Sequence, residues 1–191
     1  MKRLPEDLAQ KLIAAGEHLS GTNLDVSIDD MAKLADVPRA TLYYYFSGKD
    51  DLVGFFLADK MERGSIAIQK ALASEGSVVQ RLERTLTAIM EVMNEHPTLC
   101  TEMPVAVKES GKYETLMMEA ERMMIAPFRE LLIEGKATGE LKVQDPAMTA
   151  ISLLGAVNMV AMFQLVADGT MDVDGTASML IPQLLEGIVA K

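Results

Sequence analysis

Residues 146–167 run for 22 positions without a charged side chain, and no other feature limits the fold of this chain so strongly. A helix that is apolar all round has to be covered all round, by protein or by lipid. The length is close to the roughly 20 residues that cross a bilayer. Against a membrane span stand Thr149, Ser152, Asn158 and Gln164 inside the run, and Asp168, Asp172 and Asp174 beyond it with no basic residue to anchor that end. The run therefore predicts a helix buried in a soluble protein, with its own domain on one side and a partner on the other.

Most of the remaining sequence also reads as helix. Valine and isoleucine are scattered rather than alternating, and no two strand-like runs are joined by a hairpin turn. Helices are expected over about 5–19, over a short segment after Ser27, and over another opened by Pro38. Further helices are expected over 49–73, 78–96, a short stretch bracketed by Pro97 and Pro104, 113–134 with a kink at Pro127, the uncharged run, and 173–189. The segment "GKATGELKVQDP" reads as a loop.

Composition narrows the function. The chain carries 18 basic and 28 acidic residues, a net charge of −10, which opposes general adhesion to nucleic acid or anionic lipid. A single cysteine, Cys100, rules out an internal disulfide framework and fits a reducing, cytoplasmic setting. The opening "MKRLPEDLAQKLI" lacks the apolar stretch of a secretory signal. Catalytic signatures are missing too. His18 and His96 have no metal-ligand spacing, "SGKDD" lacks the upstream glycine of a phosphate-binding loop, and neither GxSxG nor HExxH occurs. No catalytic residue, metal or cofactor is expected.

The segment "DVPRATLYYYFSGKDDL" puts three tyrosines in a row behind an arginine and a threonine. Two short helices joined by the tight turn "ADVPRA" make a helix-turn-helix, and the second is too short to stand without bracing. Helical spacing puts Leu42, Tyr45 and Phe46 on one inward face. Arg39, Tyr43 and Tyr44 fall on the other side, with Thr41 at the edge. Arginine can take guanine edges or phosphates, threonine a thymine methyl, and tyrosine hydroxyls reach phosphate oxygens. Lys49 adds a cation at the start of the next helix, and Ser27 is placed to meet a phosphate at the start of the second.

"SIDDMAKLADVPRATLYYYFSGKDDL" resembles the DNA-binding domain of the TetR family of transcriptional regulators, closely over residues 8–58. The resemblance implies an all-α fold in which residues 1–51 form a three-helix DNA-binding domain and 52–191 a larger helical domain for ligand binding and dimerisation. By the resemblance, Thr41, Tyr43, Tyr44 and Lys49 fall at its DNA-contacting positions and Arg39 where Lys is often found; Ser27 and Ala40 are assigned to the DNA contact with them. Pro38 stands where Ser or Thr is common, and Asn23 with Leu24 where a glycine–aromatic pair is usual. Charge is the larger departure: residues 1–51 hold six basic and nine acidic groups, net −3, where a DNA-binding domain is normally basic.

The larger domain holds 13 of the 15 methionines. Methionine fills cores and also lines adaptable pockets. Met93, Met103, Met117, Met124, Phe128 and Phe163 are assigned to a pocket for an apolar, neutral or cationic effector. Glu102 and Glu121 read as solvated surface rather than counter-charges. By the resemblance, the last two helices of two copies form a dimer interface, with Ile151, Gly155, Asn158 and Met162 on one and Met179 and Leu184 on the other. The resemblance implies a homodimeric regulator, most often a repressor, on a pseudo-palindromic duplex. The rival reading is a helical binding module that has lost DNA recognition.

Overall fold

A computed structural model describes residues 4–17, 26–97, 118, 121–186 and 188. Among these residues the secondary structure is helical, without a β-strand. The order is α1 (Glu6–Glu17), α2 (Ile28–Leu34), α3 (Arg39–Tyr45), α4 (Lys49–Leu72), α5 (Val78–Glu95), a π-helical turn (Glu121–Ile125), α6 (Ala126–Thr138), α7 (Pro146–Asp168) and α8 (Val173–Glu186). Two hydrophobic cores result. The smaller joins Leu8 and Leu12 of α1, Met31 of α2, Leu42 and Phe46 at α3, and Leu52 and Phe56 of α4. The larger joins Ile68 and Leu72 of α4 to α5, α6, α7 and α8.

Helix α4 thus serves both cores, and the expected boundary at 51/52 falls inside it. Its 24 residues span about 36 Å. The stripe expected on α5 is realised: Val78, Leu82, Leu86, Ile89 and Met93 are all buried. A capping box starts that helix, with Ser77 Oγ accepting from Gln80 N at 3.2 Å and Gln80 Oε1 accepting from Ser77 N at 3.1 Å.

The helix expected over 113–134 departs from expectation at two described places. Pro127 has no N–H for the carbonyl of Met123, and the turn before it is wound as a π-helix rather than merely kinked. The Met123 carbonyl instead accepts from Gln69 Nε2 of α4 at 3.2 Å. The helix then continues to Thr138, so the first four residues of the expected loop are helical. Gly135 is buried within it, and the true stop is Gly139, whose φ of 80° lies in the left-handed region.

The uncharged run is α7, capped by Asp145, whose carboxylate accepts from Ala147 N and Met148 N at 2.9 and 3.1 Å. By length and composition it could cross a membrane. Its inner stripe of Ala150, Leu153, Val157, Ala161 and Leu165 is nevertheless built into the larger core. Helix α8 packs chiefly on α5 and is tied to α7 by Thr176 Oγ1 donating to Gln164 Oε1 at 3.1 Å.

Candidate DNA-reading face

The helix-turn-helix is set by local chemistry. Ser27 caps α2, its Oγ accepting from Asp30 N at 3.1 Å and donating to Asp30 Oδ2 at 2.6 Å. At the other end, Val37 N bonds to Ala32 O at 2.9 Å and Asp36 N to Lys33 O at 3.3 Å, a Schellman closure. Asp36 takes the left-handed position of that turn, with φ of 50°, where glycine is the usual occupant. Pro38 then enters α3 without a side-chain cap.

The tyrosines split as their spacing requires. Leu42 and Phe46 are wholly buried, and Tyr45 is half-buried with its ring edge-on to Tyr44 at 5.0 Å. Tyr43 and Tyr44 are 57% and 59% exposed. Arg39 and Ala40 are exposed, Thr41 is half-buried at the margin, and Lys49 is exposed at the start of α4. On α2 it is Ala35 that turns inward, whereas Leu34 lies half open to solvent.

Acidic side chains crowd this face, and the structure gives most of them internal partners. Asp29 Oδ2 meets Arg39 Nη1 at 3.0 Å, across the turn. Asp30 accepts from Ser27 and from Lys33 Nζ at 3.3 Å. The Ser27 bond foremost, then the Lys33 bond and charge, hold the Asp30 carboxyl below its ordinary value of 3.8. Asp51 Oδ2 accepts from Ser47 N at 2.9 Å, which braces the entry to α4. Ser27 is therefore engaged as a cap, and its hydroxyl already serves Asp30. The Asp29–Arg39 pair escaped the sequence reading, since ten residues and a turn separate its partners and only the fold brings them together.

Of the four described residues assigned to a pocket, three meet in the larger core and one does not. Met93 and Phe128 are buried in the larger core, and Met124 packs half-buried against it. Phe163 is 68% exposed on the outer side of α7, which corrects its assignment to an interior pocket. It stands two residues from both Ala161 and Leu165, and that spacing turns it away from their buried stripe. Met103 and Met117, like His18, Asn23, Leu24, Cys100, Glu102 and the short helix expected near Pro104, lie outside the described residues. Glu121 pairs with Arg129 at 2.8 Å and remains near the surface. Of the residues assigned to a dimer face, Ile151, Gly155 and Asn158 are exposed on α7 and Met179 on α8, while Met162 and Leu184 are half-buried.

A two-helix reading head braced by α1 and α4, with an appended helical domain, defines a helix-turn-helix DNA-binding regulator. Comparison with known proteins gives its family. Residues 14–54 match the family model described as bacterial regulatory proteins, tetR family, and residues 75–188 match the tetracyclin repressor-like C-terminal domain. The transcriptional regulator EthR of Mycolicibacterium smegmatis is 23% identical over 166 residues, covering 85% of this chain and 76% of its own. The fatty acid degradation regulator FadR of Bacillus halodurans superposes with a TM-score of 0.77 at 21% identity, covering 98% of each chain. FadR of Bacillus subtilis, solved with stearoyl-CoA, gives 0.76 at 17% identity over 93% of this chain and 98% of its own. The chain belongs to the TetR family of transcriptional regulators.

Proposed function

We propose that the protein works as a cytoplasmic homodimer that represses transcription from a pseudo-palindromic operator and is released by a small apolar effector. The observation that carries this reading is the outward face of α3: a helix of seven residues whose inner side is buried presents Arg39, Tyr43 and Tyr44 to solvent. Arg39, Ala40, Thr41, Tyr43, Tyr44 and Lys49 would meet the duplex, the tyrosines and Lys49 at phosphates and Arg39 at base edges. Ser27 would act by holding α2 in place. Two such heads reach successive major grooves when a twofold axis sets them about 34 Å apart.

The dimer is supported by the outer sides of α7 and α8. Met148, Ile151, Met159, Phe163, Val166 and Met179 are large apolar side chains left exposed. Gly155 stands among them, and a Cβ built there would meet nothing within 4 Å. Glycine inside a helix costs about 0.5–1 kcal/mol relative to alanine, and the chain's own packing gives no reason for it. Close approach of a second α7 does. The apolar surroundings of Met93, Met124 and Phe128 support an apolar effector, for which a long acyl chain is a suitable probe, given the ligand of the Bacillus subtilis neighbour. Its release of DNA requires that it bind one spacing of the heads better than the other.

The rival reading, a module without DNA recognition, rests on the −3 balance of residues 1–51. Against it stand Thr41, Tyr43, Tyr44 and Lys49, all present at the helix-turn-helix, with both tyrosines and Lys49 open to solvent. Selection from a pool of random duplexes at low and moderate salt tests the proposal. Enrichment of an inverted repeat is expected. A folded, dimeric protein that enriches nothing, even after refolding to strip bound ligand, would refute it.

A further inference from the structure

We infer that Asp29 is a specificity-determining residue that acts through Arg39, holding the guanidinium for a base edge and keeping it from phosphates. This rests on the DNA-reading role proposed above. Arg39 is the first residue of α3, exposed on its outer side, and its Nη1 lies 3.0 Å from Asp29 Oδ2 on α2. Both side chains are open to solvent, so the pair contributes little to stability. Its effect lies in placement. An unrestrained arginine at a duplex surface reaches whichever phosphate is nearest, and every sequence offers one. A planar guanidinium with one nitrogen committed to a fixed carboxylate loses most of that freedom while keeping N–H groups for another acceptor. The acceptors that reward such a fixed fork are the paired O6 and N7 of guanine.

The neighbouring charges separate Asp29 from its surroundings. Asp30 is committed to Ser27 and Lys33, and Asp51 to the backbone of Ser47. Asp29 meets the first residue of α3, on its outward face, at 3.0 Å. Its charge also repels phosphate where Arg39 would attract it. The two residues together therefore trade general affinity for discrimination, as a net charge of −3 over residues 1–51 would demand of any contact there.

The test compares wild-type protein, Asp29→Asn, Asp29→Glu, Arg39→Ala and the double variant Asp29→Asn/Arg39→Ala. Each is used for selection from a random duplex pool and then for titration of the wild-type-selected duplex, its single-base variants and a scrambled duplex. Thermal melts check that all are folded. For Asp29→Asn, binding to scrambled duplex is expected to rise about two- to tenfold, since a repulsive charge is gone. Preference at one base pair per half-site, about five- to hundredfold in the wild type for a bidentate contact, is expected to fall at least threefold. Arg39→Ala should lose preference at that same base pair, the double variant should lose no more, and Asp29→Glu should recover part of it. An equal change on all duplexes would reduce Asp29 to a repulsive charge and overturn the inference, although DNA reading would stand. So would an unchanged motif. A wild type that enriches no motif would remove both together.

Discussion

Helices α3 and α7 each bury one side and leave the other open, and the two open sides differ in kind. That of α3 offers a guanidinium and two tyrosine hydroxyls over seven residues. That of α7 offers Ile151, Met159, Phe163 and Val166 along a helix of 23 residues whose one charged side chain is the last, Asp168. A polar, aromatic face can be wet when alone and can still make directed contacts to a phosphate-rich surface. A wide apolar face has no use for water and finds its match in another apolar face. The contrast teaches that exposure by itself identifies no partner; the chemistry of what is exposed does.

The largest effects should come from breaking the α7 face. Ile151→Glu with Met159→Glu would put four like charges at a twofold contact. Dimers should give way to monomers in sedimentation, and operator affinity should fall on the order of a hundredfold or more, with helical content retained. Next comes the support beneath each face. Phe46→Ala in the smaller core should lower stability by about 3–5 kcal/mol in denaturant unfolding and abolish DNA binding with it.

Smaller effects sharpen the α3 side. Tyr43→Phe and Lys49→Ala should each weaken DNA binding by about 0.5–1.5 kcal/mol on every duplex alike, read by titration, while the melting temperature stays put. Asp36→Gly should raise stability by up to about 1 kcal/mol, because the turn already holds that residue at a φ of 50°. The smallest effect concerns His96, the C-cap of α5. Burial first, and then the charge of Lys60, hold its pKa below the ordinary 6.5, so the folded protein binds fewer protons there than the unfolded chain. Its contribution is present above about pH 6.5 and is lost as pH falls toward its folded value. The melting temperature should drop slightly over that window, and His96→Gln should flatten the drop.

Much of this could be read before any coordinates. The inward trio of Leu42, Tyr45 and Phe46 follows from spacing alone, because a short amphipathic helix has only one way to bury its apolar residues. The stripe of α5 follows in the same way. What escaped was decided across space. Phe163 is as apolar as Phe128, and in a helix apolar on all sides no periodicity tells the inner stripe from the outer. The Asp29–Arg39 pair depends on how the turn brings α2 and α3 together. The end of α6 was misplaced because two glycines, Gly135 and Gly139, compete as stops, and only packing shows that the first is buried within the helix.

The bond from Gln69 to the Met123 carbonyl has a mechanical consequence. Gln69 sits on α4, the same rod whose first turns hold Leu52 and Phe56 beneath the reading head. Pro127 leaves the carbonyl at Met123 outside the ordinary α-helical ladder, so α4 grips the larger domain by a hook rather than by a seam of side chains alone. A seam yields by degrees as a rod slides. A hydrogen bond loses its hold steeply once its angle and length are spoiled. At this joint small tilts of α4 are resisted and larger ones are released, as in a latch.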